Sequence, residues 1–405
     1  MQIAVIGAGL AGLAAATEVV RAGHEVVVVE AGDGPGGRVR TDEVDGFRLD
    51  RGFQILLSAY PEAKDLFDYD ALDLRAFTPG ALVRWNDRFH RVADPLRSPA
   101  RLLDTARARI GSPIDKARIL AFRQAVGRGE LADLWQRPET TARQRLADAG
   151  FSDTIVERFL GPLFTGITLD PELGGSSRVL EFVFRMLSAG DAVVPARGMG
   201  QLSDQLAAGL PHGSLRLSTA ADRIEDGAVV LAGGERLAAD AVVVATGVDE
   251  AGRLAGVETR SWRMVTSVWL AADEPPLTEP SLVLNGTGAG PVNSTVVMSE
   301  VSPHYAPPGR SLIVASTPAI GSDLVGDMVA QLTEWFGAGA ASWEVVRVDE
   351  IEKAQPVHLP GHERTGALAT GDGVVVCGDH VRDPSINGAI GSGRAAARAV
   401  LSSPA

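Results

Sequence analysis

Cysteine is almost absent from this chain. Cys377 stands alone in 405 residues, which excludes an internal disulfide framework and a dithiol redox centre. Tyrosines number three and lysines three, so few rings are available to face a cation and each lysine is conspicuous. No apolar run approaches the roughly eighteen residues that a membrane-spanning helix needs. The first strand begins at Gln2, which leaves no room ahead of it for a leader segment. A reducing, cytoplasmic setting is the expectation from these absences. What the chain has is apolar material, 45% of its residues, and a length that suits two to three domains with a large core.

Positive charge is also short, at a net −13, which argues against a general nucleic-acid binder. The distribution is uneven. Residues 84–128 hold eleven Lys/Arg against four Asp/Glu, a local +7 that leaves −20 for the remainder. A solvated helical surface accounts for such a stretch. The sharper expectation is peripheral contact with an anionic membrane or an acidic partner.

The most informative segment is Gln2-Ile3-Ala4-Val5-Ile6-Gly7-Ala8-Gly9-Leu10-Ala11-Gly12. It reads as a strand, a Gly-rich turn and a helix over 10–22, followed by a second strand over 26–29 that ends on Glu30. In a dinucleotide fold Gly7 permits the tight turn, Gly9 admits a pyrophosphate to the backbone, and Gly12 lets the helix lie against the strand. Leu10 and Ala11 open the helix whose free N–H groups meet the phosphates. Glu30 is placed to accept hydrogen bonds from a ribose. Ala31 and a second Gly-rich turn, Gly36-Gly37-Arg38, follow. A further close backbone approach with a guanidinium beside it favours FAD over NAD, because a pyrophosphate accepts well from Arg.

Glu30-Ala31, four residues and then Gly36-Gly37-Arg38 resembles the second fingerprint of the flavin amine oxidase, protoporphyrinogen oxidase and phytoene desaturase superfamily. Phe47-Arg48-Leu49-Asp50-Arg51-Gly52-Phe53-Gln54 resembles the next family segment, which implies that backbone around Gly52, Phe53 and Gln54 lies beside the isoalloxazine ring. The resemblance continues at 218–224, whose backbone contacts adenine in the family; Ala221 stands there where valine is usual. It ends in Gly373-Val374-Val375-Val376-Cys377-Gly378-Asp379 and Pro384-Ser385-Ile386-Asn387-Gly388-Ala389-Ile390. Gly378 and Asp379 are then implied in the ribityl–phosphate region. Asn387, Gly388, Ala389 and Ile390 are implied at the N-terminus of a last helix aimed at the flavin, where a helix dipole stabilises charge near N1.

The fold expected is α/β, a Rossmann-type FAD-binding domain with a discontinuous α+β substrate domain of mixed sheet and helices. The FAD domain is drawn from 1–56, 195–258 and 347–405, and the substrate domain from 57–194 and 259–346. Within the latter, helical spacing runs over 101–110, 117–126 and 179–187. A hairpin is expected over 81–92 with Asn86-Asp87 at its turn. Strands are expected over 265–270, 282–284, 294–299 and 312–316. After 195–202, which introduces another helix, strands fall at 215–217, 228–231 and 241–245, the last two flanking the turn Gly233-Gly234. Gly286-Thr287-Gly288-Ala289-Gly290 imitates a nucleotide turn, but a strand-like run follows it, so a hairpin or loop is expected.

FAD carries the chemistry in such a protein, and the chain need only place a substrate C–H near N5. No metal-ligand pattern is evident; His358 and His362 are separated by Pro360-Gly361, which forbids the helix that would align them. Amine oxidases of the superfamily place an aromatic residue before the final Gly-Ala, where this chain has Pro384-Ser385-Ile386-Asn387. That form is more similar to the phytoene desaturase branch, although 405 residues is short for it. The resemblance makes Lys353 a catalytic candidate, since some superfamily members keep a lysine near N5; an exposed surface lysine is the competing expectation. Cys377 is expected as inert packing in its strand. The function expected is an FAD-dependent oxidoreductase taking hydride from a largely apolar small molecule. An amine oxidase is the alternative, and a flavin-bearing lipid carrier or assembly factor the second.

Overall fold

The computed structural model describes residues 1–93, 97, 104, 107–321, 323–371 and 373–402. The first fingerprint folds as β1 (Gln2–Ile6), α1 (Leu10–Arg21) and β2 (Glu25–Val29). Both faces of β1 are buried. Ile3 and Val5 enter the core beneath α1, while Ala4 and Ile6 enter a second cluster on the opposite face of the sheet. A strand covered on both sides needs no polar alternation, which is why this segment and Glu25–Val29 read as continuous apolar runs.

Next come the hairpin strands β3 (Gly80–Trp85) and β4 (Arg88–Ala93), then helices α2 (Pro113–Gly127), α3 (Gly161–Thr168) and α4 (Ser177–Ala189). Asn86 and Asp87 both take positive φ, 47° and 56°, the backbone of a two-residue hairpin turn. The helix expected over 101–110 lies largely outside the described residues. Strands β5 (Leu215–Arg216), β6 (Ala241–Val244), β7 (Trp262–Ala272), β8 (Val283–Asn285), β9 (Ser294–Val297) and β10 (Ser311–Thr317) follow. The chain closes with α5 (Leu324–Phe336), β11 (Glu344–Pro356), β12 (Leu368–Gly371), β13 (Val374–Val376) and α6 (Ile386–Ser402).

Two sheets organise these elements. The first has the order β5-β2-β1-β6-β13-β12 and is parallel except for the β12–β13 pair. Helix α6 crosses α1 so closely that a Cβ at Gly393 would lie 2.0 Å from the carbonyl oxygen of Ala11. The second sheet has the order β11-β7-β10-β9-β8-β3-β4, with β8–β3 its parallel pair. Its outer face packs Leu270 and Ile313 in one core cluster with Met328, Leu332 and Trp335 of α5.

Gly286 to Gly290 falls in the β8–β9 hairpin. Two expectations are adjusted. The Gly233-Gly234 turn joins Ala228–Leu231 to a short strand at Arg236–Leu237, and with Ala221–Glu225 these make a separate three-stranded sheet beside the first. A boundary at 346 would cut β11, which stays paired to β7 as far as Pro356. Its mixed charged and apolar residues show no break there because they belong to one long edge strand.

Candidate cofactor and substrate site

The two Gly-rich turns are zipped together. Gly36 N donates to Ala8 O at 2.8 Å, and Gly9 and Gly36 form a parallel bridge. Glycine is required at several of these positions. A Cβ on Gly12 would sit 1.9 Å from Gly7 O, and one on Gly36, at φ 113°, would sit 2.3 Å from Val39 O. Gly9 differs, because a Cβ there would meet nothing within 4 Å. It would point into the open space above the first turn of α1, whose N-cap Gly9 has no side chain to satisfy the orphan N–H groups.

Glu30 closes this end. Its carboxylate accepts from Ala8 N and from Gly32 N, both at 2.7 Å, so the backbone of both turns orients it. Thr219 N donates to Glu30 O and brings 219–221 to the same rim.

Arg38 donates to both oxygens of Asp379, at 2.8 and 2.7 Å, and to Ala354 O at 3.0 Å. Burial alone would raise the Asp379 carboxyl, but the guanidinium outweighs it and holds the acid below its ordinary value. Arg38 therefore enters the site already engaged, as one half of an ion pair, rather than as a separate fork reserved for phosphate.

A continuous cavity of about 1660 Å³ runs past these groups. It is lined by Gly7, Gly9, Leu10, Ala11, Glu30, Ala31, Gly36, Gly37, Arg38, Gly52, Phe53, Gln54, Ala221, Gly378, Asp379 and Ala389. Four residues expected at the cofactor are not part of this cavity's lining. Gly12 serves the α1–β1 packing just described. Asn387 is buried and accepts from Glu62 N, and Ile390 is fully buried. Gly388 faces Asp383, where a Cβ would lie 2.0 Å from its carbonyl oxygen. On a helix only one side can face a ligand, and α6 presents Ser385, Ile386 and Ala389. Ser385 caps it, its Oγ accepting from Gly388 N at 2.9 Å.

The middle of the cavity is built on Asp50 and Gly52. Asp50 is fully buried and accepts from Thr41, Met199 N and Tyr305. Desolvation pushes its carboxyl up to about 6 despite those bonds. This pins the Thr41–Val44/Phe47–Asp50 hairpin, so Gly52 at φ 78° and Phe53 emerge at the cavity wall. Lys353 also lines the cavity, but its side chain is 62% exposed and paired to Asp249 at 2.5 Å. That pairing raises its pKa and keeps it charged, which does not suit a base.

Beyond Phe77 the wall becomes apolar. A π-helical turn at Val156–Leu160 contributes Phe159 and Leu160, and α3 contributes Leu163 and Ile167. Helix α4 turns Val179, Val183, Phe184 and Leu187 inward, a stripe at i, i+4, i+5 and i+8. Sequence reasoning did not single these residues out. Their helical periodicity was visible in α4, but periodicity does not separate a core-facing stripe from a cavity-facing one. The strand-end residues Ala245, Thr246 and Gly247 were missed too, although a position at the carboxyl end of β6 beside β1 was the available signal.

His358 and His362 do meet, with ring centroids 4.2 Å apart and nearly perpendicular, because the Pro360-Gly361 turn folds one ring back onto the other. Among the described residues no group of His, Cys, Asp or Glu forms a metal site. Cys377 is buried, and burial raises its thiol to about 12.

The polar end of the cavity fits an FAD. It offers an uncapped helix start, two glycine turns with open space over Gly9, a carboxylate at the end of β2 and an Arg–Asp pair farther along. The volume exceeds the roughly 300–1,000 Å³ of a pocket for one small molecule, which suits a cofactor and a substrate together.

The family model for flavin containing amine oxidoreductases matches residues 10–401. An oxidoreductase from Methanosarcina mazei superposes with a TM-score of 0.77 at 19% identity, covering 97% of this chain and 99% of that one. A putative protoporphyrinogen oxidase from Exiguobacterium sp. 255-15 gives 0.73 at 18% identity, covering 98% of each. A triple mutant of putrescine oxidase gives 0.73 at 17%, covering 99% of each. By sequence, a 4,4'-diapophytoene desaturase (4,4'-diaponeurosporene-forming) of Staphylococcus aureus is 46% identical over 68 residues. That match spans 16% of this chain and only 13% of the desaturase. No described helix is long and apolar enough to cross a membrane.

Proposed function

The chain belongs to the flavin containing amine oxidoreductase family, and we propose that it is an FAD-dependent oxidoreductase whose substrate is a largely apolar small molecule rather than an amine. The apolar lobe between α2, the π-helical turn, α3 and α4 carries this reading. Bound FAD supplies a hydride acceptor at N5. The residues of the lobe would hold a C–H-bearing chain by dispersion and burial, at about 25 cal/mol per Å² of apolar surface removed from water, and would exclude water from it.

The rings on the wall argue in the same direction. Phe53 and Phe77 meet edge-on, 6.4 Å apart with an interplanar angle of 61°, rather than offering two parallel faces to a cation. Residues 9–11 and 36–38, together with Glu30, Asp379 and the cavity-facing start of α6, are assigned to the cofactor on this reading, and Lys353 is not assigned to catalysis. The short likeness to a diapophytoene desaturase is compatible with an apolar polyene.

Anaerobic mixing of the flavin-loaded protein with apolar polyenes and lipids, in parallel with a panel of primary and secondary amines, tests the proposal. Bleaching of the flavin absorbance by the apolar set is expected. Bleaching by amines with peroxide release in air would make it an amine oxidase. Bleaching by neither set would favour a flavin-bearing carrier.

A further inference from the structure

The basic stretch at 84–128 is only partly a surface feature. Several of its cations have partners within the protein: Arg84 lies over Phe89 of β4, Arg91 pairs with Glu279 in the loop ahead of β8, and Arg118 approaches Asp115 on its own helix. Three others, Arg97, Lys116 and Arg123, line the cavity, and they do so in its apolar lobe. Arg97 donates to Gly190 O and Leu187 O, and Arg123 donates to Ser188 O, so both guanidinium groups converge on the C-terminal end of α4. The carbonyl groups there attract cations.

Lys116 and Arg123 lie on one face of α2 with Ile119 and Leu120 between them, at i, i+3, i+4 and i+7, and all four touch the cavity. The stripe is thus an apolar segment with a cation at either end. Leu120 is 37% exposed, so this wall borders solvent and marks the mouth. Partial burial lowers the Lys116 ammonium, as expected of a charge held away from bulk water. Asp191, which pairs with Arg97, is the carboxylate among the described residues of this wall. Lys116 donates to Ala108 O at 3.0 Å, so all three cations have partners within the protein and also line the cavity.

We propose that the substrate is an anionic amphiphile, an apolar chain whose single carboxylate or phosphate head group sits at the mouth against Arg97, Lys116 and Arg123 while the chain runs inward through the lobe. The proposal rests on the apolar-substrate reading above and adds the head group. A head group at the solvent-facing end avoids full desolvation, as long amphipathic groups do when their charged tip stays wet. Charge-assisted hydrogen bonds from Arg and Lys then select an anion over an alcohol of the same length.

The test measures equilibrium binding of oleate, oleyl phosphate and oleyl alcohol to the FAD-loaded protein, read by perturbation of the flavin spectrum and by tryptophan fluorescence. One or both anions should bind at least about tenfold tighter than the alcohol, and the tighter anion identifies the head group. The advantage should shrink when NaCl is raised from 20 to 500 mM, because the mouth is open to screening. Lys116→Gln and Arg123→Gln should each reduce it by about threefold or more without weakening the alcohol. The wild-type comparison needs no variant, which matters because Arg123 also supports the end of α4. Binding of the alcohol as tightly as both anions would overturn the head-group assignment while keeping the apolar substrate. Absence of binding by all three would overturn both.

Discussion

Arg38 and Asp379 stand 341 residues apart in the chain, yet the guanidinium donates to both oxygens of the carboxylate, at 2.8 and 2.7 Å. The contact ties the second Gly-rich turn to the segment after β13, and both partners line the cavity. Arg38→Ala should leave the Asp379 carboxylate without its compensating charge. Each lost charge-assisted bond is worth about 1.5–3 kcal/mol. FAD affinity should therefore fall about tenfold or more, measured by recovery of free-flavin fluorescence on dilution. Retention of wild-type affinity would make the pair purely structural.

Gly9 and Gly12 allow the fold to be separated from cofactor binding. A side chain at Gly9 meets open space, so Gly9→Val should change the thermal midpoint of the FAD-free protein little. It should block FAD from the start of α1 and lower its affinity at least a hundredfold. Gly12→Ala forces a Cβ against Gly7 O and should destabilise the FAD-free protein itself by about 1–3 kcal/mol, as overpacking does. Equal loss of stability in both variants would contradict the geometry.

Acid sensitivity should follow the histidines. Desolvation first, and the neighbouring positive charges after it, hold His358 down to about 3 and His362 down to about 4. Unfolded, each titrates near about 6.5. The unfolded chain then binds more protons as pH falls below that value, so stability is full above about pH 7 and declines as pH falls from about 6.5 to about 3. Denaturant unfolding at pH 7.5 and 5.0 should show the decline, with a smaller difference in His358→Gln. The comparison with wild type removes the contribution of Asp50, whose raised carboxyl acts with the opposite sign.

The buried Tyr305–Asp50 hydrogen bond gives a stability prediction away from the cofactor. Tyr305→Phe removes a donor at 2.7 Å and leaves one buried carboxylate oxygen short of a partner. A cost of about 1–3 kcal/mol follows, read as a lowered denaturant midpoint with an unchanged slope. An unchanged midpoint would mean that water replaces the hydroxyl.

Helix α2 also gives the membrane expectation a location. Ile114 is 62% exposed and Leu120 37%, near the cationic mouth. We propose weak, salt-sensitive binding to anionic vesicles through this helix, reduced in Ile114→Ser. Equal recovery in the supernatant with and without vesicles at low salt would rule it out.

The nucleotide half of the site was legible because its requirements are local. Gly7, Gly9, Gly12 and Glu30 sit within thirty residues, and each answers to the geometry of a single turn or strand end. The same holds for Asn86-Asp87 and for the apolar runs of β1, β2, β6 and β13. A backbone angle or a periodicity of 2 or 3.6 is written into consecutive residues.

The substrate half is not local. Arg97, Lys116 and Arg123 belonged to a stretch that a solvated surface would explain until α4 was placed beside them, and the helical spacing over 179–187 did not say that Val183 and Leu187 border a cavity. Which face of α6 borders the cavity likewise depended on its packing, so Ala389 lines the cavity while Gly388 packs against Asp383. A helical stripe specifies that a face will be covered, not what covers it. In this chain a cofactor cradle follows from short-range sterics, whereas the choice between buried wall and open cavity follows from how distant elements pack.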